Sequence, residues 1–345
     1  MNLHSNKKFA QRFACPLSRR GQQLLFSFAS SPACGITSDL AAVFCSLVEW
    51  LVVSPRGLRR GHRERVGVRE MPTLHIETQG SGAPLLLIHG WGMHGGMWGE
   101  VAERLAEHFR VLAVDLPGHG YSRGQKTEDR EQKKKPVEFL DEIVDQLSAQ
   151  FSEPLTVCGW SLGGQVALRW ALRHPQQISR LVLVASTPCF VRRPGWECAM
   201  AEETLAEFAA ALQHDYALTL RRFLALQVRG SERERELLAA LRSALSSRGE
   251  PDLGALQAGL EILRDCDLRS ELPGIRQPAL VVGGERDTLT PPLAAHYLAA
   301  QLPDARLVAI KGAAHAPFLS HPDEFVGHVV SFMREPVGAI HESPL

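Results

Sequence analysis

The sequence predicts an α/β fold with a mostly parallel sheet, and three observations carry that expectation. From Met71 onward, short apolar runs recur along the chain; turn chemistry follows nearly every run; and longer stretches with helical spacing lie between them. The runs are Leu85–Ile88, Val111–Asp115, Leu155–Cys158, Leu181–Ala185, Ala279–Val282 and Leu307–Ile310. Each is continuous rather than alternating and rich in Val, Leu and Ile, as expected of strands buried on both faces. The intervening helices show in patterns such as Val166, Leu168, Trp170, Ala171 and Leu172, with His174-Pro175 as a stop. Between the fourth and fifth runs, Ser186 to Gln277 is too long for a loop. Its composition favours helices over Ala201–Leu212, Tyr216–Val228, Arg233–Ser246 and Leu253–Leu263, an inserted helical lid. The expected organisation is therefore an N-terminal extension (1–70), a core from 71–185 and 278–335, the lid (186–277) and a tail (336–345).

Composition narrows the function classes. With 345 residues, 45% hydrophobic and 22% charged, the chain is globular and neither fibrous nor mainly disordered. Lys plus Arg (38) equals Asp plus Glu (38), which argues against a protein that coats nucleic acid through its overall charge. That zero hides an asymmetry: residues 1–70 hold eleven Lys and Arg against four acids, a net +7, so the remainder is −7. The extension is Arg-rich and acid-poor, which fits a transit-type segment or a start placed too far upstream, and we expect it to be dispensable. Its longest apolar run, Ala41 to Val53, is interrupted by Ser46 and Glu49 and is too short to span a bilayer comfortably. Of seven cysteines, Cys15, Cys34 and Cys45 fall in the extension, and none of the seven shows metal-type spacing. Reduced thiols in a cytoplasmic compartment are expected. The charged run Lys126–Lys135 reads as a solvated loop or helix start.

Two motifs compete to define the chemistry. Gly90-Trp91-Gly92-Met93-His94-Gly95 is formally G-x-G-x-x-G, and Asp115 follows twenty residues after Gly95, which on paper is a dinucleotide fingerprint. Against it, Trp91 places a large side chain inside the turn, and His89 before it fits the H-G loop of a hydrolase. The second motif, Gly159-Trp160-Ser161-Leu162-Gly163, matches G-x-S-x-G between a strand and a helix. There the glycines permit a turn so sharp that it lifts the serine hydroxyl at the carboxyl end of the sheet.

A serine hydroxyl is a weak nucleophile at neutral pH and needs a base, itself oriented by a carboxylate. With this turn the chain order is serine, acid, histidine. Asp287, in GGERDTLTPP after Ala279–Val282, and His315, in KGAAHAPF after Leu307–Ile310, occupy the expected positions. Glu285 and His321 compete; the first reads as a turn-surface carboxylate and the second as the capping region of the last helix. The oxyanion of the reaction needs two backbone N–H donors, expected from Leu162 and from Trp91. No H-E-x-x-H motif occurs, and this chemistry requires neither metal nor cofactor.

The segments LLLIHGWG, DLPGHGYSRG, GWSLGG, ASTPCF, RRFLALQ, GLEIL and AAHAPFLSHPDEF together resemble the pimeloyl-[acyl-carrier protein] methyl ester esterases of biotin synthesis, from about Met71 to Met333. HGWG and GWSLGG are shared by many α/β-hydrolases; RFLALQ and AAHAPFLSHP are more specific. The resemblance implies the α/β-hydrolase fold and hydrolysis of the methyl ester of pimeloyl-carrier protein to the free acid and methanol. It gives Ser161, Asp287 and His315 the catalytic roles. It also makes Trp91, Ser161, Leu162, Phe223, Leu224, Ala225, Leu226, Gln227 and His315 the lining of the substrate site. Family members begin near the position of Met71, so 1–70 has no counterpart in them.

An acidic carrier protein should be repelled by a core of net −7 unless a basic face receives it. Arg221, Arg222, Arg229, Arg233 and Arg235 in the lid are the candidates, of which Arg222 and Arg235 match lid arginines of the family. The expected protein is a monomer that engages neither membrane nor nucleic acid. Two alternatives stay open here: a broad short-chain carboxylesterase with the same triad, and a non-catalytic binding protein on the same fold.

Overall fold

The computed structural model describes residues 73–124 and 135–336. The expectations for the 1–70 extension, for Lys126–Lys134 and for the tail beyond Pro336 lie outside the described residues. A seven-stranded sheet forms the centre, in the order β1-β3-β2-β4-β5-β6-β7. The strands are β1 (Ile76–Gln79), β2 (Pro84–Ile88), β3 (Arg110–Val114), β4 (Leu155–Trp160), β5 (Ile178–Val184), β6 (Ala279–Gly284) and β7 (Ala305–Ile310). All neighbours pair in parallel except β1, which runs antiparallel to β3 with Ile76 opposite Val114.

The six apolar runs supply β2 to β7, and two differences have a common cause. The strand β1 was not foreseen: four residues at a sheet edge with a solvated side do not produce a buried run. The other edge strand, β7, begins two residues before the apolar run, at half-buried Ala305 and Arg306. Asp115 falls one residue beyond β3, with its N–H still donating to the His75 oxygen (2.9 Å).

Helices α1 (Gly99–Ala106), α2 (Pro136–Ser148), α3 (Leu162–Arg173), α8 (Pro292–Gln301), the short α9 (Pro317–Ser320) and α10 (Pro322–Arg334) flank the sheet. α3 packs on β4 and β5, α8 on β6 and β7, and α10 on α1. α3 begins at Leu162, where the serine turn closes directly into the first helical residue. It stops at Arg173, where Pro175 forbids continuation. Between β5 and β6 stand α4 (Glu202–His214), α5 (Tyr216–Val228), α6 (Glu234–Ser247) and α7 (Leu253–Asp265), within two residues of the expected limits. They bury Leu205, Leu212, Leu220, Leu224, Leu237, Leu241, Leu256 and Leu260 against the core. No helix among the described residues is long and apolar enough to cross a membrane.

Candidate active site

The end of β4 is set by backbone crowding. A side chain on Gly159 would put its Cβ 2.2 Å from the Gly163 carbonyl oxygen, and one on Gly163 would lie 2.5 Å from the Ile88 oxygen. Only glycines allow β4, β2 and the start of α3 to approach this closely. Between them Ser161 takes φ 55° and ψ −117°, a conformation that side chains rarely adopt and that costs on the order of 1–3 kcal/mol. The strained turn is pinned on both sides: the Ser161 N–H donates to the Val184 oxygen (2.9 Å), and its carbonyl accepts from the Ser186 hydroxyl (2.9 Å).

Asp287 and His315 come from the loops after β6 and β7. Gly284 lets these loops meet, since a Cβ there would stand 2.0 Å from the Ala314 oxygen. His315 Nδ1–H donates to Asp287 Oδ2 at 2.8 Å, and both side chains are almost fully buried. Asp287 is held in turn by the Leu289 N–H (2.8 Å), the Thr290 N–H (2.9 Å) and the Thr290 hydroxyl (2.7 Å). With its oxygens accepting from these donors, the carboxylate faces the imidazole as an acceptor, which places the ring N–H on Nδ1 and leaves Nε2 as the nitrogen that can accept. Nε2 has no hydrogen-bond partner among the described residues. The imidazole loop is tied by the Trp160 indole N–H to the His315 oxygen (2.8 Å) and by the His315 N–H to the Gln227 oxygen (3.1 Å). The competing residues sit elsewhere: Glu285 accepts the Gly312 N–H (3.2 Å), and His321 heads α10 with Nδ1 on the Ser320 hydroxyl (2.9 Å).

Facing the serine turn is the loop Gly90–Gly95. His89 Nδ1–H donates to the Gly90 oxygen (2.8 Å) and Nε2 accepts the Leu116 N–H (3.0 Å), so a neutral ring shapes the loop. Burial, aided by the nearby His119, pushes the His89 pKa down to about 3. Asp115, the acid of the dinucleotide reading, is already engaged by the Gly95 N–H (2.6 Å), the Tyr121 N–H (2.8 Å) and Arg248. No acid is left there for a ribose, and Gly95 opens a single 3₁₀ turn, Gly95–Trp98, rather than a long helix. The Leu162 N–H heads α3, where no residue of the helix can accept it.

The lid closes over the loop. Trp91 is buried, donates from Nε1 to the Leu256 oxygen of α7 (2.9 Å), and meets Phe208 and Phe223 edge to face at 5.4 and 4.8 Å. Phe223, Leu224 and Gln227 are buried, Ala225 and Leu226 half-buried. Arg221, Arg222, Arg229 and Arg235 are exposed; Arg233 differs, since its Nε donates to Glu236 (2.8 Å) and its charge is shared. Among the described residues no group of His, Cys, Asp and Glu is arranged to hold a metal ion.

The α/β hydrolase family model matches residues 83–322. A pimeloyl-[acyl-carrier protein] methyl ester esterase of Nitrosomonas europaea is 48% identical over 256 residues, covering 74% of this chain and 98% of that protein. This chain belongs to that esterase family. A second member, from Nitrosospira multiformis, is 42% identical over 262 residues, covering 76% of this chain and 98% of its own. Among solved structures, an esterase from Exiguobacterium antarcticum superposes with a TM-score of 0.65 at 25% identity, covering 76% of this chain and 96% of that one.

Sequence reasoning missed several residues that shape the site. Thr290 stands three residues after Asp287, a spacing at which a threonine hydroxyl reaches an aspartate, so its signal was present. Gln227 was expected as a lining residue but not for the carbonyl that holds His315, and Arg248 gave no local signal, because their partners lie far away in the chain.

Proposed function

We propose that this chain hydrolyses the methyl ester of pimeloyl-[acyl-carrier protein], releasing methanol and the free pimeloyl acid on its carrier for biotin synthesis. Ser161 is the nucleophile, His315 the general base and acid, and Asp287 its orienting carboxylate. One observation carries the chemistry: His315 is held through Nδ1 by Asp287, with Nε2 left without a partner among the described residues, at the carboxyl end of the sheet that also bears the strained Ser161. The substrate rests on the names of relatives at 42–48% identity.

The steps follow from these roles. The Ser161 proton passes to His315 Nε2 as Oγ attacks the ester carbonyl, and the oxyanion is met by the Trp91 and Leu162 amides. Collapse breaks the bond to methoxide, which leaves as methanol with the proton from Nε2. Water then gives a proton to Nε2 and its oxygen to the acyl carbon, and Ser161 leaves reprotonated. Phe223 to Gln227 and Trp91 line the acyl chain, while Arg221, Arg222, Arg229 and Arg235 face the acidic carrier, with Arg233 in a lesser part. The protein acts as a cytoplasmic monomer in this reading.

The test is methanol release from pimeloyl-carrier-protein methyl ester by the full chain, beside Ser161→Ala and a simple short-chain ester. Serine-dependent turnover that strongly favours the carrier-linked ester is expected. Turnover of the simple ester alone would mark a broad carboxylesterase, and no serine-dependent turnover by folded protein would mark a binding protein.

A further inference from the structure

The loop that offers the Trp91 amide is held largely from the lid. Besides the Trp91 Nε1 bond to α7, His94 Nε2 donates to the Ala244 oxygen of α6 (2.8 Å), and the Gly95 N–H donates to Asp115 Oδ1 (2.6 Å). Asp115 is fully buried, and Arg248, next after α6, reaches it with Nη1 at 3.0 and 3.1 Å from its two oxygens. The other arm of the guanidinium, Nη2, pairs with Glu77 of β1, and the Tyr121 ring lies 5.0 Å from the guanidinium carbon. Gly96 leaves the space the guanidinium fills: a Cβ there would stand 2.9 Å from its Nε and Nη2. One lid arginine thus joins the lid, the edge strand and the loop.

We propose that Arg248 is a positioning residue for ester hydrolysis, fixing through Asp115 the loop that presents the Trp91 amide to the oxyanion. The geometry of that amide then depends on a seated lid. The proposal rests on the reading of Ser161 and Trp91 given above.

Electrostatics makes Arg248 the cation that matters here. His89, His94 and His119 also surround Asp115, but burial lowers the pKa of all three, so they are neutral near pH 7. Burial alone would raise the Asp115 carboxyl; the Tyr121 and Gly95 amides, with the charge of Arg248, outweigh it and hold the group below its ordinary value. Without Arg248 a buried carboxylate would stand unpaired, and it would take up a proton or draw in water. Either response loosens its grip on the Gly95 N–H. A small displacement of an oxyanion donor is costly, since its bond is made in the transition state.

The experiment compares Arg248→Met, Arg248→Lys and Gly96→Ala in the full chain, with p-nitrophenyl butyrate as substrate and an alkyl boronic acid as the mimic of the tetrahedral state. Titration with a fluorophosphonate counts active serines, so unfolded protein does not enter the rates. Arg248→Met is expected to lower kcat per titrated site by about tenfold. Boronate affinity should fall by the same factor while KM stays within about twofold, and Arg248→Lys should recover part of both. Gly96→Ala pushes the guanidinium aside without removing its charge and should move both readouts the same way; it decides the matter if Arg248→Met yields no titratable protein. A loss of thermal stability with kcat per site and boronate affinity unchanged would overturn the proposal and leave Arg248 a structural clasp. Absence of serine-dependent turnover in the unsubstituted chain would instead defeat the esterase reading, and the proposal with it.

Discussion

The core loops and the lid meet over the same serine, yet different forces hold them. At the ends of β4 and β6, glycines sit where any Cβ would overlap backbone 2.0–2.5 Å away, so chain crowding leaves one path. Long-range polar contacts tie the lid to the core: the side chains of Trp91 and His94 to the Leu256 and Ala244 carbonyls, and the Arg248 guanidinium to the Asp115 carboxylate. Each such bond contributes only about 1 kcal/mol net, more where a charge takes part. The chemical groups are therefore built into a rigid frame, while the cover over them adds a few separable polar ties to the burial of its leucines.

Substitution at the rigid frame should bring the largest losses. Ser161→Ala is expected to lower methanol release by at least about 10⁴-fold, leaving the residual catalysis of binding and oxyanion donors. Since alanine at 161 keeps the same backbone and only loses Oγ, its urea midpoint should match the parent within error. A variant that retained more than a hundredth of the activity would remove Ser161 from the mechanism. Asp287→Asn comes next, with a drop in kcat of about 10³–10⁴-fold, because an amide NH₂ turned to Nδ1 favours the tautomer protonated on Nε2. Here kcat should fall and KM change little, a split that a folding defect would not produce.

The same contrast explains what was legible in the sequence. Ser161 and its glycines are neighbours in the chain, so G-x-S-x-G carries its own geometry. Asp287 and His315 are separated by 28 positions, but each follows a buried strand, and strand order brings them within 2.8 Å. Arg248 and Asp115 are 133 residues apart, and an arginine at the end of a mixed-charge stretch looks the same whether it is solvated or buried. The sequence pattern held a decoy at Asp115, which fits a dinucleotide fingerprint when its arginine partner is out of view, and only Trp91 and His89 in the turn spoke against it. The edge strand β1 escaped for a related reason: its pairing with β3 is the signal, and pairing is not written in four half-exposed residues.

The seam between the two regions should be sensitive to acid. His89 is buried in the core loop among Gly90, Leu116 and His119, next to the His94 that reaches the lid, and its pKa is lowered from 6.5 to about 3. Below pH 6.5 the unfolded chain takes up a proton at this position that the folded chain refuses until about pH 3. Stability contributed by the neutral ring is thus complete above pH 6.5 and declines as pH falls through that window. Between pH 6.5 and 5 the loss from His89 amounts to about 2 kcal/mol, with His94 and His119 shifted in the same direction. Urea unfolding at these two pH values measures it, and His89→Asn should flatten the slope by one proton. A slope unchanged in that variant would move the acid sensitivity to other groups.

The smallest effect is the most direct probe of separability. Trp91→Phe keeps an aromatic ring against Phe208 and Phe223 but removes the N–H that reaches the Leu256 oxygen. The Leu256 carbonyl keeps its place in α7, so the cost is one tie, about 1 kcal/mol. If the lid opens as a unit of its own, that loss falls on its local opening equilibrium. Hydrogen exchange should then speed up by about fivefold for amides of α7 while those of β4 keep their protection, since 1 kcal/mol corresponds to that factor. Equal acceleration in β4 would show that lid and core unfold together. The frame and its cover would then be one cooperative structure, and the weak ties at the seam would draw on the stability of the whole sheet.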